Sequence, residues 1–221
     1  MLPVMAASDR TSAADFLPDR RTLSDLTRAA RECRGCPLYQ SATQVVFGKG
    51  LKRARLMLVG EMPGHDEDLQ GKPFVGPAGR ILDQALAAAR IERGDAYVTN
   101  VVKHFKWQPQ GRRRLHKTPS IREISACLPW LEAEIEVIQP RVLVCLGATA
   151  AKALIGSSFR VSQQHGQMVP SNLAPCVTAT GHPSAVLRQR TPEAREQAMA
   201  ELIADLSNVQ RLLDDGGSGA S

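Results

Sequence analysis

The sequence predicts an α/β fold, a parallel sheet covered by helices on both faces, and three observations carry that expectation. Four short runs rich in Val and Leu are separated by longer amphipathic stretches. The chain has 221 residues, 43% of them hydrophobic, enough for one core without disulfide staples. No apolar run approaches the ~18 residues of a membrane span, and the start, MLPVMAASDR, lacks the pattern of a secretory signal.

In chain order, residues 1–20 lack periodicity and are expected to form a mobile arm, and 21–213 to form a single domain. The polar DDGGSGAS end gives a flexible tail over 214–221. The strand-like runs are 54–60 (ARLMLVG), 96–102 (AYVTNVV), 141–147 (RVLVCLG) and 176–180 (CVTAT). Between the first two, Pro77 opens a helix to Ile91 with Ile81, Leu82, Ala85, Leu86 and Ala89 on one face. Ser120 and Glu123 form a capping box ahead of Ile124, Leu128, Leu131, Ile135 and Ile138, with Pro129 predicting a kink or late start. A short Ala-rich helix over 148–155 and a long one over 191–213 complete the pattern. Ligands of such sheets gather at the carboxyl ends of the strands, which singles out the loops GEMPG, NVVKH and TGHPS.

Charge is unevenly placed. Lys103, Lys106, Arg112, Arg113, Arg114, Lys117 and Arg122 occupy a window without Asp or Glu, so seven cations against a net +6 leave the remainder one unit negative. A local positive field of this kind fits a loop aimed at a polyanion, though solvated charge runs look alike. Within it, GRRRLHKTPS places His116 after three arginines.

Five unevenly spaced cysteines argue against a disulfide framework and for a reducing, cytoplasmic setting. Cys33 and Cys36 form C-x-x-C, a signal shared by zinc sites, iron–sulfur sites and redox pairs. Further ligands would come from elsewhere, with Cys127 and His104 as candidates. Cys145 and Cys176 sit among apolar residues and read as small core side chains. Glu61, Phe74, Asn100 and His182 fall at the sheet-end loops. Each alone has an ordinary structural explanation. Together a carboxylate, an aromatic plate, an amide and an imidazole make a pocket for a planar base.

GEMPGHDEDLQGKPFVGPAG and GHPSAVLR resemble the two motifs of the iron–sulfur uracil-DNA glycosylases, and CRGCPLY and ACLPWLEAEI resemble their cluster-ligand segments. VTNVVKHFKW followed by RRRLHKTPS resembles the UdgX subgroup of this family 4-like branch. The resemblance implies a three-layer α/β/α sandwich with a four-stranded parallel sheet, and a [4Fe-4S] cluster held by Cys33, Cys36, His104 and Cys127. It also implies uracil stacked on Phe74 beside Met62 and Gly64, with Asn100 pairing to O4 and N3–H. His182 would donate to O2, and Glu61 would stabilise the sugar cation or take a proton from the nucleophile. Arg112, Arg113, Arg114, Lys117, Ser184 and Arg188 would hold DNA, and His116 would attack C1′ and stay attached. The neighbouring arginines and Lys117 are expected to keep His116 neutral. Uracil-containing DNA, preferably single-stranded, is the implied partner, uracil the product, and the chain a monomer. Two other readings stay open: a turnover glycosylase releasing abasic DNA, and a non-catalytic metal-stabilised nucleic-acid-binding module. Met62 and His65 stand where compared members commonly have Gln and Asp, and Gly181 where a β-branched residue is more usual.

Overall fold

The structure, a computed structural model, describes residues 12–111 and 113–215. Residues Ser12 to Phe16, expected within the arm, instead form a capped 3-10 turn with Ala13 wholly buried. Helix α1 (Leu23–Ala30) follows, capped by Thr22.

Strand β1 (Leu56–Gly60) leads into α2 (His65–Gln70) and α3 (Pro77–Ala88), and β2 (Ala96–Asn100) comes next. A two-stranded hairpin, β3 (Trp107–Gln110) and β4 (Arg113–His116), then replaces the expected basic loop. Helix α4 (Ile121–Ile138) runs unbroken through Pro129, behind the capping box at Ser120. The rest of the chain is β5 (Val142–Leu146), α5 (Ala148–Leu154), α6 (Val161–Gln164), β6 (Cys176–Thr180), α7 (Pro183–Leu187) and α8 (Pro192–Asp215).

The main sheet has the order β2-β1-β5-β6, parallel throughout. Its strands are mostly apolar because both faces are covered, with Thr99, Asn100, Thr178 and Thr180 as buried polar exceptions. Met57, Val59, Leu143, Cys145, Val177 and Ala179 pack on one side with α1, α4 and α5. Leu56, Leu58, Val98, Val142 and Val144 pack on the other with α3 and α8. The period-2 alternation of the strands thus divides the core into two halves and produces three layers. Cys145 is buried core as expected, and Cys176 lies at the start of β6.

Strand order reverses between β1 and β5, so the loops leaving their carboxyl ends diverge and leave a crevice there. Among the described residues no helix is long and apolar enough to cross a membrane.

Candidate active site

The crevice collects four side chains foreseen from the sequence. Glu61 follows β1, Asn100 ends β2, His182 follows β6, and Phe74 comes from the loop between α2 and α3. Gly60 explains their closeness. A Cβ there would stand 2.4 Å from Asn100 Oδ1 and 2.6 Å from Phe74 Cζ, so only glycine lets the amide and the ring meet over β1. Phe74 has φ 54°, a left-handed backbone that a bulky residue adopts only when its surroundings enforce it. Gly79 is part of that enforcement, since a Cβ there would lie 1.9 Å from the Phe74 carbonyl oxygen. Asn100 Oδ1 is the one buried side-chain polar atom among the described residues without a hydrogen-bond partner. Such an atom calls for a ligand donor.

Glu67 organises the first motif loop, and the sequence reading missed it. Its buried carboxylate accepts N–H bonds from Gly64 (3.0 Å), Val75 (3.0 Å) and Gly76 (2.8 Å), tying both ends of the segment together. Gly64 is therefore a helix cap, and Met62 is buried with the apolar side chains of the α4 face.

His182 accepts the Ser184 N–H at Nδ1 (3.2 Å), which leaves the proton of the neutral ring on Nε2. Arg188 donates to Ser184 Oγ (2.7 Å), and that oxygen is 2.8 Å from His182 Nδ1. Desolvation, with Arg188 and His116 adding to it, pushes the His182 pKa down to about 4. The ring lies 5.8 Å from the Phe74 ring, centroid to centroid.

His116 reaches the same site from β4. Its Nε2 stands 3.7 Å from Glu61 Oε1, and its side chain is 47% exposed. Its pKa is lowered first by desolvation and then by Arg188, against the raising effect of Glu61 and Glu67. The cation acting on it is thus on α7's edge, not on the hairpin. Thr149, in the first turn of α5, donates to Glu61 Oε2 and leaves Oε1 toward His116. Counting the LGATA loop among the sheet-end loops would have found it.

The basic window is less free than it looked. Lys103 is buried on Glu134, Lys106 pairs with Glu123 at 2.8 Å, and Arg114 pairs with the wholly buried Asp68 at 2.7 Å. Arg114 also donates to His65 Nδ1 (3.0 and 2.8 Å) and lies over Phe105 and Trp107. It anchors the hairpin instead of facing solvent. Trp107 adds an Nε1–H bond to the Ser41 carbonyl at 2.9 Å. Arg113, Lys117 and Arg122 remain exposed, as does Arg188, with Ser184 partly so. Arg112 lies outside the described residues.

Cys33, Cys36, Cys127 and His104 are all buried, though among the described residues no three His, Cys, Asp or Glu are grouped to hold a metal ion. A mononuclear site gathers ligands around one atom, whereas a cluster spaces them around a larger body. Each thiol accepts an N–H: Cys33 from Trp130 Nε1 (3.2 Å), Cys127 from Lys103 N (3.3 Å), and Cys36 from the Leu38 backbone. Burial raises the Cys127 thiol to about 12, with Lys103 opposing and Cys36 and Cys33 adding to the rise. Donors aimed at sulfur suit thiolates that carry cluster charge. Burial lowers His104 to about 4, keeping it in the neutral form that binds metals.

Residues 47–207 match the model of the Uracil DNA glycosylase superfamily. The chain is 37% identical over 187 residues to a Type-4 uracil-DNA glycosylase of Thermotoga maritima, covering 84% of this chain and 94% of that one. Its counterpart in Pyrobaculum aerophilum is 36% identical over 202 residues, covering 87% and 97%. One from Archaeoglobus fulgidus is 36% identical over 183, covering 80% and 87%. The matched span contains the whole sheet, the hairpin and every residue lining the crevice, and the chain belongs to the uracil DNA glycosylase superfamily.

Proposed function

We propose that the protein excises uracil from DNA and captures the resulting abasic sugar on His116. The observation that carries the excision is the unpaired Asn100 Oδ1 beside Phe74. A uracil stacked on Phe74 gives its N3–H to Oδ1 and accepts the amide N–H at O4, whereas cytosine offers the opposite pattern and is refused. As the glycosidic bond breaks, its electron pair leaves with uracil, and the Nε2–H of His182 donates to O2 of the departing anion. Glu61 faces the developing positive charge on the sugar.

Capture rests on the pairing of His116 Nε2 with Glu61 Oε1. The neutral ring forms the bond to C1′ through its unprotonated nitrogen while Glu61 takes the proton from the other, and that proton passes to the departing uracil. Thr149 holds the other carboxylate oxygen, so one face of Glu61 serves the nucleophile. Exposed Arg113, Lys117 and Arg188, with Ser184, flank the site and suit phosphates of a single strand that supplies the base already unpaired. Cys33, Cys36, Cys127 and His104 would hold a [4Fe-4S] cluster, which supplies a rigid tie between α4 and the segment after β2.

Denaturing electrophoresis with uracil-containing single-stranded DNA tests this reading. A protein band shifted by the mass of the DNA is expected, lost in His116→Ser while uracil release persists. Uracil release with an unshifted wild-type band overturns capture and leaves the turnover glycosylase. No release at all leaves only nucleic-acid binding.

A further inference from the structure

Lys103 and Glu134 form an ion pair with side chains 1% and 0% exposed. Removing two charges from water is costly, and such pairs rarely stabilise a fold more than apolar residues would. The pair therefore needs another reason to exist. Lys103 follows β2 and spends all three ammonium protons: on Glu134 Oε2 (2.5 Å), on Thr99 Oγ1 (2.8 Å) and on the carbonyl of Asn100 (2.7 Å). Glu134 is itself fixed by Tyr97 OH (2.8 Å), Gly48 N (3.0 Å) and Thr99 Oγ1. Desolvation drives the Tyr97 pKa far upward, so the phenol stays a donor.

The bond to Asn100 is the informative one. β2 ends at Asn100, and the chain turns away to reach the buried His104. Because Asn100 Oδ1 has no partner of its own, no hydrogen bond at that atom fixes the direction of the amide. Its backbone and the packing on Gly60 and Phe74 are left to fix it. The adjoining N–H groups of Val101 and Val102 bond to the carbonyls of Gly60 (2.9 Å) and Glu61 (3.0 Å). The carbonyl of Asn100 is left to Lys103.

We infer that Lys103, held rigid by Glu134, is a positioning residue that aims the Asn100 amide at the base. The inference rests on the proposed role of Asn100. It explains why a charge is buried here: an ammonium in a dry site holds a carbonyl more firmly than a neutral donor does. Lys103 belongs to the recognition machinery and not to the positive surface.

Two variants test it. Glu134→Gln keeps an acceptor for Tyr97 and Gly48 and leaves Lys103 on the Asn100 carbonyl. Lys103→Met/Glu134→Gln removes both charges and that bond. Rates are taken in single-turnover excision and referred to the folded fraction by circular dichroism. Glu134→Gln loosens Lys103 without removing its bond to the Asn100 carbonyl, so its rate is expected to fall between the wild type and the double variant. The double variant should be slower by about tenfold, need correspondingly more free uracil for inhibition, and bind uracil-free single-stranded DNA as before. Wild-type rates and wild-type uracil inhibition in both variants overturn the inference, leaving a purely structural pair. So does a loss in Glu134→Gln as large as the double variant's, which assigns the effect to the charge pair and not to the bond at Asn100. A wild-type protein that excises no uracil fails the underlying reading instead, and that result is separate from either.

Discussion

Two histidines reach one crevice from regions built on different physics. His182 leaves the end of β6 in the parallel sheet, and its Nδ1 is tied to Ser184 within its own turn. His116 sits on β4, in a hairpin outside the sheet that is docked by Arg114 on Asp68, by Trp107 on Ser41 and by Lys106 on Glu123. The first imidazole is positioned by local geometry and the second by long-range polar tethers. A group that must present one hydrogen to a leaving base needs a single tautomer and little motion. A group that closes on C1′, as proposed for His116, needs exposure and a partner for its proton. Burial disfavours charge on both rings, and Arg188 adds to that effect at each.

Removing the ring on the sheet side is the strongest way to break this contrast. His182→Ala should slow uracil release and adduct formation alike, by about 10²–10³-fold, the usual loss for a donor to a developing anion. Parallel single-turnover assays of both products check it. Loss of the adduct alone would mean that His182 serves the nucleophile and not the base.

Loosening the hairpin is the complementary test. Arg114→Ala removes the ion pair to Asp68 and the bonds to His65, so adduct formation should fall about tenfold with uracil release preserved. Equal losses in both would make the hairpin part of base recognition.

The smallest effect is in pH. On the proposed mechanism His116 attacks from the neutral ring, and its pKa is lowered mainly by desolvation. Adduct formation should therefore be flat above the ordinary histidine value of about 6.5 and decline only below it. Arg188→Ala lifts a lowering influence, so the decline should move to higher pH. A profile that rises toward acid would contradict a neutral nucleophile.

The two regions also differ in how far the sequence revealed them. The sheet was legible because strands covered on both faces run mostly apolar, and the four runs matched β1, β2, β5 and β6 to within two residues at either end. The candidate residues Glu61, Asn100 and His182 were placed at the strand ends by the same pattern. The hairpin was not legible. Its strands, WQPQ and RRLH, carry no apolar alternation, because polar tethers hold them and not a core. Its basic window looked unneutralised because Asp68 and Glu134 lie far away in sequence, and only folding brings them to Arg114 and Lys103. Pro129 was expected to disturb its helix, yet α4 passes through it, secured by a capped start and by Trp130 and Leu131 buried on the sheet side.

Trp130 is wholly buried with its indole N–H on Cys33, whereas Trp107 rides on the hairpin. The protein holds no other tryptophan. Its ultraviolet emission is thus the sum of two local reporters, one set against the thiols and one on the hairpin. With Trp107→Phe the remaining light reads the sulfur environment, and with Trp130→Phe it reads hairpin docking as DNA arrives. No dye is required, because the chain already carries one natural fluorophore in each region.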